Sequence, residues 1–390
     1  MNTPEAREFN LKALLVLSLG HFVTDIYQGA LPAILPFLKE RLALSYSTAG
    51  LLLLASNVTS SVIQPLFGLL SDRKGRPFLL PLGVLVAGGG FSLVALPTNV
   101  ALIMLLVILS GLGVAAYHPE GFKTASYFTG TRAATGMAVF SVGGYFGFAI
   151  APMIALSIVT RLGFSWLPLM MIFSLLFLAA LAVLRSSIAV PEAVREHAAA
   201  AVRTSRRRIP VSLVVLIGTV IIRSWAHAGI MTYIPFYYID YLKGDPLYAG
   251  QLVSVFLLGG VAGTIIGSPL ADRWGHKRYL VLSMILSTLM FPFIFMVKGS
   301  LLVLALGLFG MVLISTFSVT VVMAQRLLPG NLGVASGLMV GFAIGTGGVG
   351  VTILGIIADH FGVPFALKSI MVLPLAGLAL SLFIKYPSGR

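Results

Sequence analysis

Twelve long apolar stretches constrain this chain more than any other feature. They run at 11–38, 46–70, 77–96, 99–127, 132–160, 164–185, 210–241, 247–270, 277–297, 300–328, 331–358 and 364–385, and are called spans 1 to 12 below. An α-helix needs about 20 apolar residues to cross about 30 Å of hydrocarbon. Inside lipid every backbone N–H and C=O must be paired within the protein, which leaves helices and closed barrels. Barrel strands are ~10-residue segments of alternating polarity, whereas these stretches are continuous and longer. Only 10% of the 390 residues are charged and 58% are hydrophobic, against roughly a quarter charged in soluble domains. So few charges cannot cover a water-soluble globule of this size. The composition excludes a soluble enzyme, a disordered chain and a collagen-like fibre, and predicts an all-α integral membrane protein. With no cysteine, disulfides and thiolate metal centres are excluded.

The net charge of +14 would suggest nucleic acid in a soluble protein. Here the placement of the charges decides otherwise. Of the 26 Lys and Arg, 19 fall on the side that carries both termini, six fall on the other, and Arg223 alone lies deep in a span. Lys/Arg enrichment marks cytoplasmic loops, so both termini are expected in the cytoplasm, with no nucleic-acid partner. Arg206-Arg207-Arg208 ends a polar, Ala-rich stretch, 186–209, which reads as a cytoplasmic linker. It would join an N-terminal half, 1–185, to a C-terminal half, 210–390. No charged segment followed by a short apolar core and a cleavage site opens the chain, so no signal peptide is expected to be removed.

The two halves repeat at an offset of 200 residues. Gly68-Leu-Leu-Ser-Asp72-Arg73-Lys-Gly75-Arg76 follows span 2, and Ser268-Pro-Leu-Ala-Asp272-Arg273-Trp-Gly275-His276 follows span 8. Gly29 matches Gly229, Leu42 matches Leu242, and Ala49-Gly50 matches Ala249-Gly250. Two parallel six-helix halves, twelve transmembrane helices in pseudo-symmetric arrangement, resemble the major facilitator superfamily. The Asp-Arg-x-Gly turn is similar to that superfamily's signature, with a degenerate copy in the second half. Asp72 is suited to accept hydrogen bonds from a helix N-terminus or to pair with an Arg. Gly75 permits a tight turn and Gly68 a close helix approach. Gly68, Asp72, Arg73, Gly75, Arg76, Asp272, Arg273 and Gly275 are therefore candidate gating-latch residues; the alternative is a turn that only supplies positive charge.

A closer resemblance rests on His21-Phe-Val-Thr-Asp25 in span 1, Gln64-Pro65, Tyr117-His118-Pro119-Glu120-Gly121 in span 4, and Ser141-Val-Gly143-Gly144-Tyr-Phe-Gly147 in span 5. Together these resemble the fosmidomycin resistance protein family of bacterial drug efflux transporters. Wider drug:proton antiporters carry an Arg four residues before a span-4 Gly-x-Gly; Val107 stands there, before Gly111-Leu-Gly113. Gly143-x-x-x-Gly147 and Pro152 resemble the antiporter motif, expected to seat span 5 against a neighbour across the halves.

Ionisable groups in the bilayer are expensive, so each is a functional candidate. Asp25 lies mid-span 1 with His21 one turn earlier. Glu120 lies in span 4 with His118 and Lys123 nearby, and Arg223 and His227 lie mid-span 7. The resemblance implies that spans 1, 4, 7 and 10 line a central cavity shared by these groups. Asp25, Glu120, His21 and His118 are candidate proton-coupling residues, since a buried carboxyl can load and release a proton as its surroundings change. Arg223 offers a permanent, planar cation for a phosphonate or carboxylate, or a structural partner for Asp25. His227, Tyr27, Gln28 and Tyr145 complete the candidate substrate-binding set. The alternative for each is ordinary packing. No metal site is expected, because no ligand pair between separate helices is visible in the spacing. Gly345-Thr-Gly347-Gly-Val-Gly350 matches a dinucleotide fingerprint but lies within an apolar span and follows no strand. No cofactor is expected.

The resemblance implies a monomeric, proton-coupled efflux antiporter in the bacterial inner membrane. Its partners would be protons, membrane lipid and a small organic anion or drug such as fosmidomycin. Alternatives are a lipid or lysophospholipid flippase, a metabolite importer, or a non-transporting membrane sensor. An enzyme is not expected, since no nucleophile–base or metal pattern appears.

Overall fold

The computed structural model describes residues 8–44, 46–73, 77–190 and 209–386. Described residues form helices and loops, with no strand among them. Among the described residues, eleven helices are long and apolar enough to cross a membrane, from Leu11–Arg41 to Val363–Phe383, and the shorter apolar helix Leu79–Ala95 occupies the place of span 3. Their ends fall within five residues of the stretches read from the sequence. Large apolar side chains such as Leu66, Met153, Val183 and Phe383 lie largely exposed. In a membrane chain such positions face lipid tails, against which burial gains nothing.

Apolarity did not report the internal breaks. Spans 2, 7 and 11 each contain a π-helical segment, at Val58–Val62, Tyr237–Tyr241 and Gly337–Ala343. Such segments are rare and occur mostly at functional sites. The repeat extends beyond its sequence motif. Gly163 ends the span-5 helix at φ +101°, ψ 157° and Gly362 ends the span-11 helix at φ +84°, ψ 156°, a conformation that L side chains rarely adopt.

The chain forms two compact units. The first comprises Met1–Arg206 with Pro329–Phe342; the second comprises Arg207–Leu328 with Ala343–Arg390. Most of the linker expected at 186–209, including its Arg triplet, lies outside the described residues. The start of span 11 groups with the first unit because it packs closely on span 2. A Cβ on Gly68 would come within 2.5 Å of the Gly333 carbonyl carbon. One on Gly337 would come within 2.8 Å of the Gln64 backbone, and one on Gly341 within 2.5 Å of the Gln64 Cβ.

Within the first unit, span 1 packs along span 5. A Cβ on Gly143 would collide with the Ser18 backbone, and one on Gly147 with that of Phe22. These glycines thus seat span 5 against span 1 of the same unit, not against a neighbour across the halves as expected from sequence. Close backbone approach replaces hydrophobic burial as the source of packing energy. In the second unit Gly259 and Gly263 of span 8 meet Gly307 and Met311 of span 10 in the same way. Gly350, the last glycine of the dinucleotide-like string, rests on the Trp225 ring.

Candidate functional site

The first unit contains a buried triangle of titratable groups. Span 1 supplies His21 and Asp25, one helical turn apart, and span 4 supplies His118. His21 Nε2 lies 3.4 Å from Asp25 Oδ2, His118 Nε2 lies 3.2 Å from Asp25 Oδ1, and the two Nε2 atoms are 3.2 Å apart. Both imidazoles are 4% exposed. His21 stacks on Phe140 at 4.5 Å and meets Phe122 edge-on at 5.7 Å. Gly144 closes the triangle from span 5: a Cβ there would stand 2.6 Å from Asp25 Oδ2.

The outer ring nitrogens fix what this triangle can do. His21 Nδ1 donates to the Phe140 carbonyl at 3.0 Å, and His118 Nδ1 donates to the Val114 carbonyl at 2.9 Å. A carbonyl oxygen only accepts, so both Nδ1 atoms carry protons. In neutral rings both Nε2 atoms are then bare acceptors, facing each other and a carboxylate. Three acceptors at hydrogen-bond distance repel unless a cation enters. One proton on either Nε2 turns the cluster into a set of charge-assisted hydrogen bonds. These three atoms lie within 4.8 Å of one another, and sequence spacing alone had shown no such set spanning two helices.

Glu120 has different partners from Asp25. Its Oε1 lies 3.1 Å from Lys123 Nζ, which also donates to the Ser71 carbonyl at 2.5 Å. Glu120 is fully buried and Lys123 is 7% exposed. Glu120 and Asp25 thus have separate partners within the first unit. Pro119 lies between His118 and Glu120, and the fold gives only His118 to Asp25. Next to Ser71, Asp72 receives the Gly333 N–H at 2.8 Å on Oδ1 and the Val334 N–H at 3.0 Å on Oδ2. Both carboxylate oxygens thus hold the first turn of span 11, with Gly68 making room beneath it.

The other latch candidates vary. Arg73 ends the span-2 helix, while Gly75 and Arg76 lie outside the described residues. In the second unit Asp272 pairs with His276 Nε2 at 3.1 Å, and Gly275 between them adopts φ +93°. Arg273 ends the span-8 helix.

Of the substrate candidates, Tyr27 is buried and its hydroxyl is engaged within the protein. It is 1% exposed, donates to the Met170 carbonyl at 3.1 Å, and meets Ser174 Oγ at 2.7 Å. Its hydroxyl is consumed between spans 1 and 6. Gln28 Nε2 reaches Ser60 Oγ at 3.4 Å, and Tyr145 is half-buried. In the second unit Arg223 is buried and His227 is half-buried against Phe256, 5.5 Å between ring centres. Their helix is fixed to span 11 by Ser224 Oγ donating to the Ile344 carbonyl at 2.9 Å and Trp225 Nε1 donating to Thr346 Oγ1 at 3.3 Å.

Sequence reasoning missed the wall role of Gly144 and the Lys123–Ser71 link. Depth arithmetic offered a signal for His118. At 1.5 Å per residue, His21 lies about 15 Å from the start of span 1 and His118 about 12 Å from the end of span 4. Those two ends share a membrane side, so the two imidazoles share a depth.

The sequence matches the family profile described as Major Facilitator Superfamily over 17–339 and 216–390. The chain belongs to the major facilitator superfamily. It is 31% identical to the fosmidomycin resistance protein of Escherichia coli (strain K12) over 376 residues, covering 94% of this chain and 91% of that one. It is 32% identical to the MFS-type transporter YfnC of Bacillus subtilis (strain 168) over 372 residues, with coverage of 94% and 91%. Among solved structures, the E. coli fucose:proton symporter superposes with a TM-score of 0.75 at 13% identity, covering 96% of this chain and 98% of that one. The human organic anion transporter MFSD10 gives 0.74 at 18%, covering 97% and 100%. The protein is thus a multi-pass membrane transporter of the superfamily fold and not an enzyme.

Proposed function

We propose that this transporter exports a small organic anion or drug, of the fosmidomycin type, in exchange for protons by alternating access. The observation that carries the proton coupling is the His21–Asp25–His118 triangle, in which three converging acceptors require a cation. A proton enters when the triangle is open to one side of the membrane and leaves when it is open to the other. Identity to a fosmidomycin resistance protein over nearly the whole chain supports the substrate class. Arg223 is the proposed counter-charge for the anion, because its planar guanidinium matches phosphonate or carboxylate oxygens. Asp72 acts as the latch: its two hydrogen bonds to span 11 break and reform in each cycle. We place the protein in the bacterial inner membrane, as a monomer with cytoplasmic termini and with halves 1–185 and 210–390 joined by the 186–209 linker. Moving one charge through 100 mV releases about 2.3 kcal/mol, which is enough for uphill export.

The test is uptake of fosmidomycin and a panel of organic anions into everted vesicles carrying the protein. The expected result is accumulation driven by an imposed pH gradient and abolished by a protonophore. Accumulation that ignores the gradient, or net movement out of the everted vesicles, contradicts the assignment.

A further inference from the structure

One end of the second unit presents a charge pattern that transport does not use. Two neighbouring grooves, of about 620 and 450 Å³, run beside the starts of span 9 and the end of span 12 and share Lys277 in their walls. Lys277, Arg278 and Lys385 line them, and among the described residues no carboxylate does. Lys277 Nζ donates to the Leu382 carbonyl at 3.1 Å, which fixes one cation at the junction of the two grooves. Away from the charges the walls are apolar: Leu282 and Ile285 are exposed on one side, and Phe383 is 74% exposed on the other. The depth is that of the membrane interface. Trp274, the last residue of the span-8 helix, is half-exposed, and Trp and Tyr concentrate at headgroup level. The nearest acidic side chain of the latch, Asp272, is held by His276.

We propose that these grooves bind an anionic phospholipid. Its phosphate sits among Lys277, Arg278 and Lys385, and its acyl chains run along Leu282, Ile285 and Phe383. Three clustered cations select negative headgroups, and the adjoining exposed apolar wall selects a lipid over a soluble phosphate. A zwitterionic headgroup carries its own ammonium into the cation cluster and is disfavoured.

The test is native mass spectrometry of the full-length protein released from detergent with equal phosphatidylglycerol and phosphatidylcholine. Glycerol phosphate serves as the soluble probe. With three cations each worth about fivefold, the wild type is expected to retain phosphatidylglycerol on the order of 100-fold over phosphatidylcholine and to ignore glycerol phosphate. Each juxtamembrane cation is worth about fivefold, so K277Q/R278Q/K385Q should weaken the preference tenfold or more. Arg278→Gln alone, a change at an exposed side chain, should weaken it about fivefold with the elution profile unchanged. Equal retention of both lipids, an unchanged preference in either variant, or competition by glycerol phosphate overturns the proposal.

Discussion

Replacing Gly144 with Ala adds one methyl group to the wall of the titratable triangle. The new Cβ would collide first with His21 Nε2 and would stand 2.6 Å from both Asp25 Oδ2 and His21 Cδ2, where about 3.4 Å or more is ordinary contact. Each neighbour must yield by roughly 0.8 Å, in a close-packed interior where inserting a methylene costs ~1–3 kcal/mol. His21 cannot retreat freely, because Phe140 stacks on its ring and accepts from its Nδ1. Both groups must shift, and the 3.4 Å contact between Asp25 and His21 opens past hydrogen-bond distance. A 1 Å misplacement of reacting groups can cost about 100-fold, so Gly144→Ala should slow gradient-driven export between tenfold and 100-fold. The assay is export in proteoliposomes under an imposed pH gradient, with thermal melting measured alongside. Gly89→Ala and Gly348→Ala are the controls, since a Cβ at either position meets nothing within 4 Å. Wild-type coupling in a stably folded Gly144→Ala variant would refute the placement of the proton site beside span 5.

Three further outcomes follow from other contacts. Lys123→Ala leaves the Glu120 carboxylate buried without its cation, which costs about 3–5 kcal/mol; melting should fall sharply, and adding Glu120→Gln should restore most of it. Asp72→Ala removes two hydrogen bonds to a charged acceptor, each worth about 1.5–3 kcal/mol. Maximal transport rate should fall at least tenfold while substrate affinity in detergent stays within a few-fold. Arg223→Gln should abolish saturable binding of anionic substrates measured by calorimetry and leave Asp25-dependent proton uptake unchanged.

The spans were legible because lipid imposes a simple rule, and continuous apolar runs satisfy it whatever the tertiary fold. The repeat was legible because Asp72 and Asp272 lie at matching helix ends. What escaped was set by packing between helices. Neither the i, i+4 spacing of His21 and Asp25 nor the neighbourhood of His118 and Glu120 reveals which of the latter pair turns toward span 1. Pro119 and the helical twist settle it, sending His118 to Asp25 and Glu120 to Lys123. Tyr27 shares its helix with Asp25, yet it points to span 6, where Ser174 and Met170 occupy its hydroxyl. Gly144 carried no chemistry of its own and became informative only once its missing side chain was seen to make room for a carboxylate.

The most direct test of the proton-binding triangle separates substrate exchange from proton movement in Asp25→Asn. An internal pH dye in proteoliposomes follows protons while labelled substrate is followed in counterflow, which needs no net coupling. The expected result is that Asp25→Asn retains counterflow and shows no substrate-evoked proton flux, whereas the wild type shows both. Substrate-evoked proton flux persisting at the wild-type rate in Asp25→Asn would contradict the assignment of coupling to His21, Asp25 and His118.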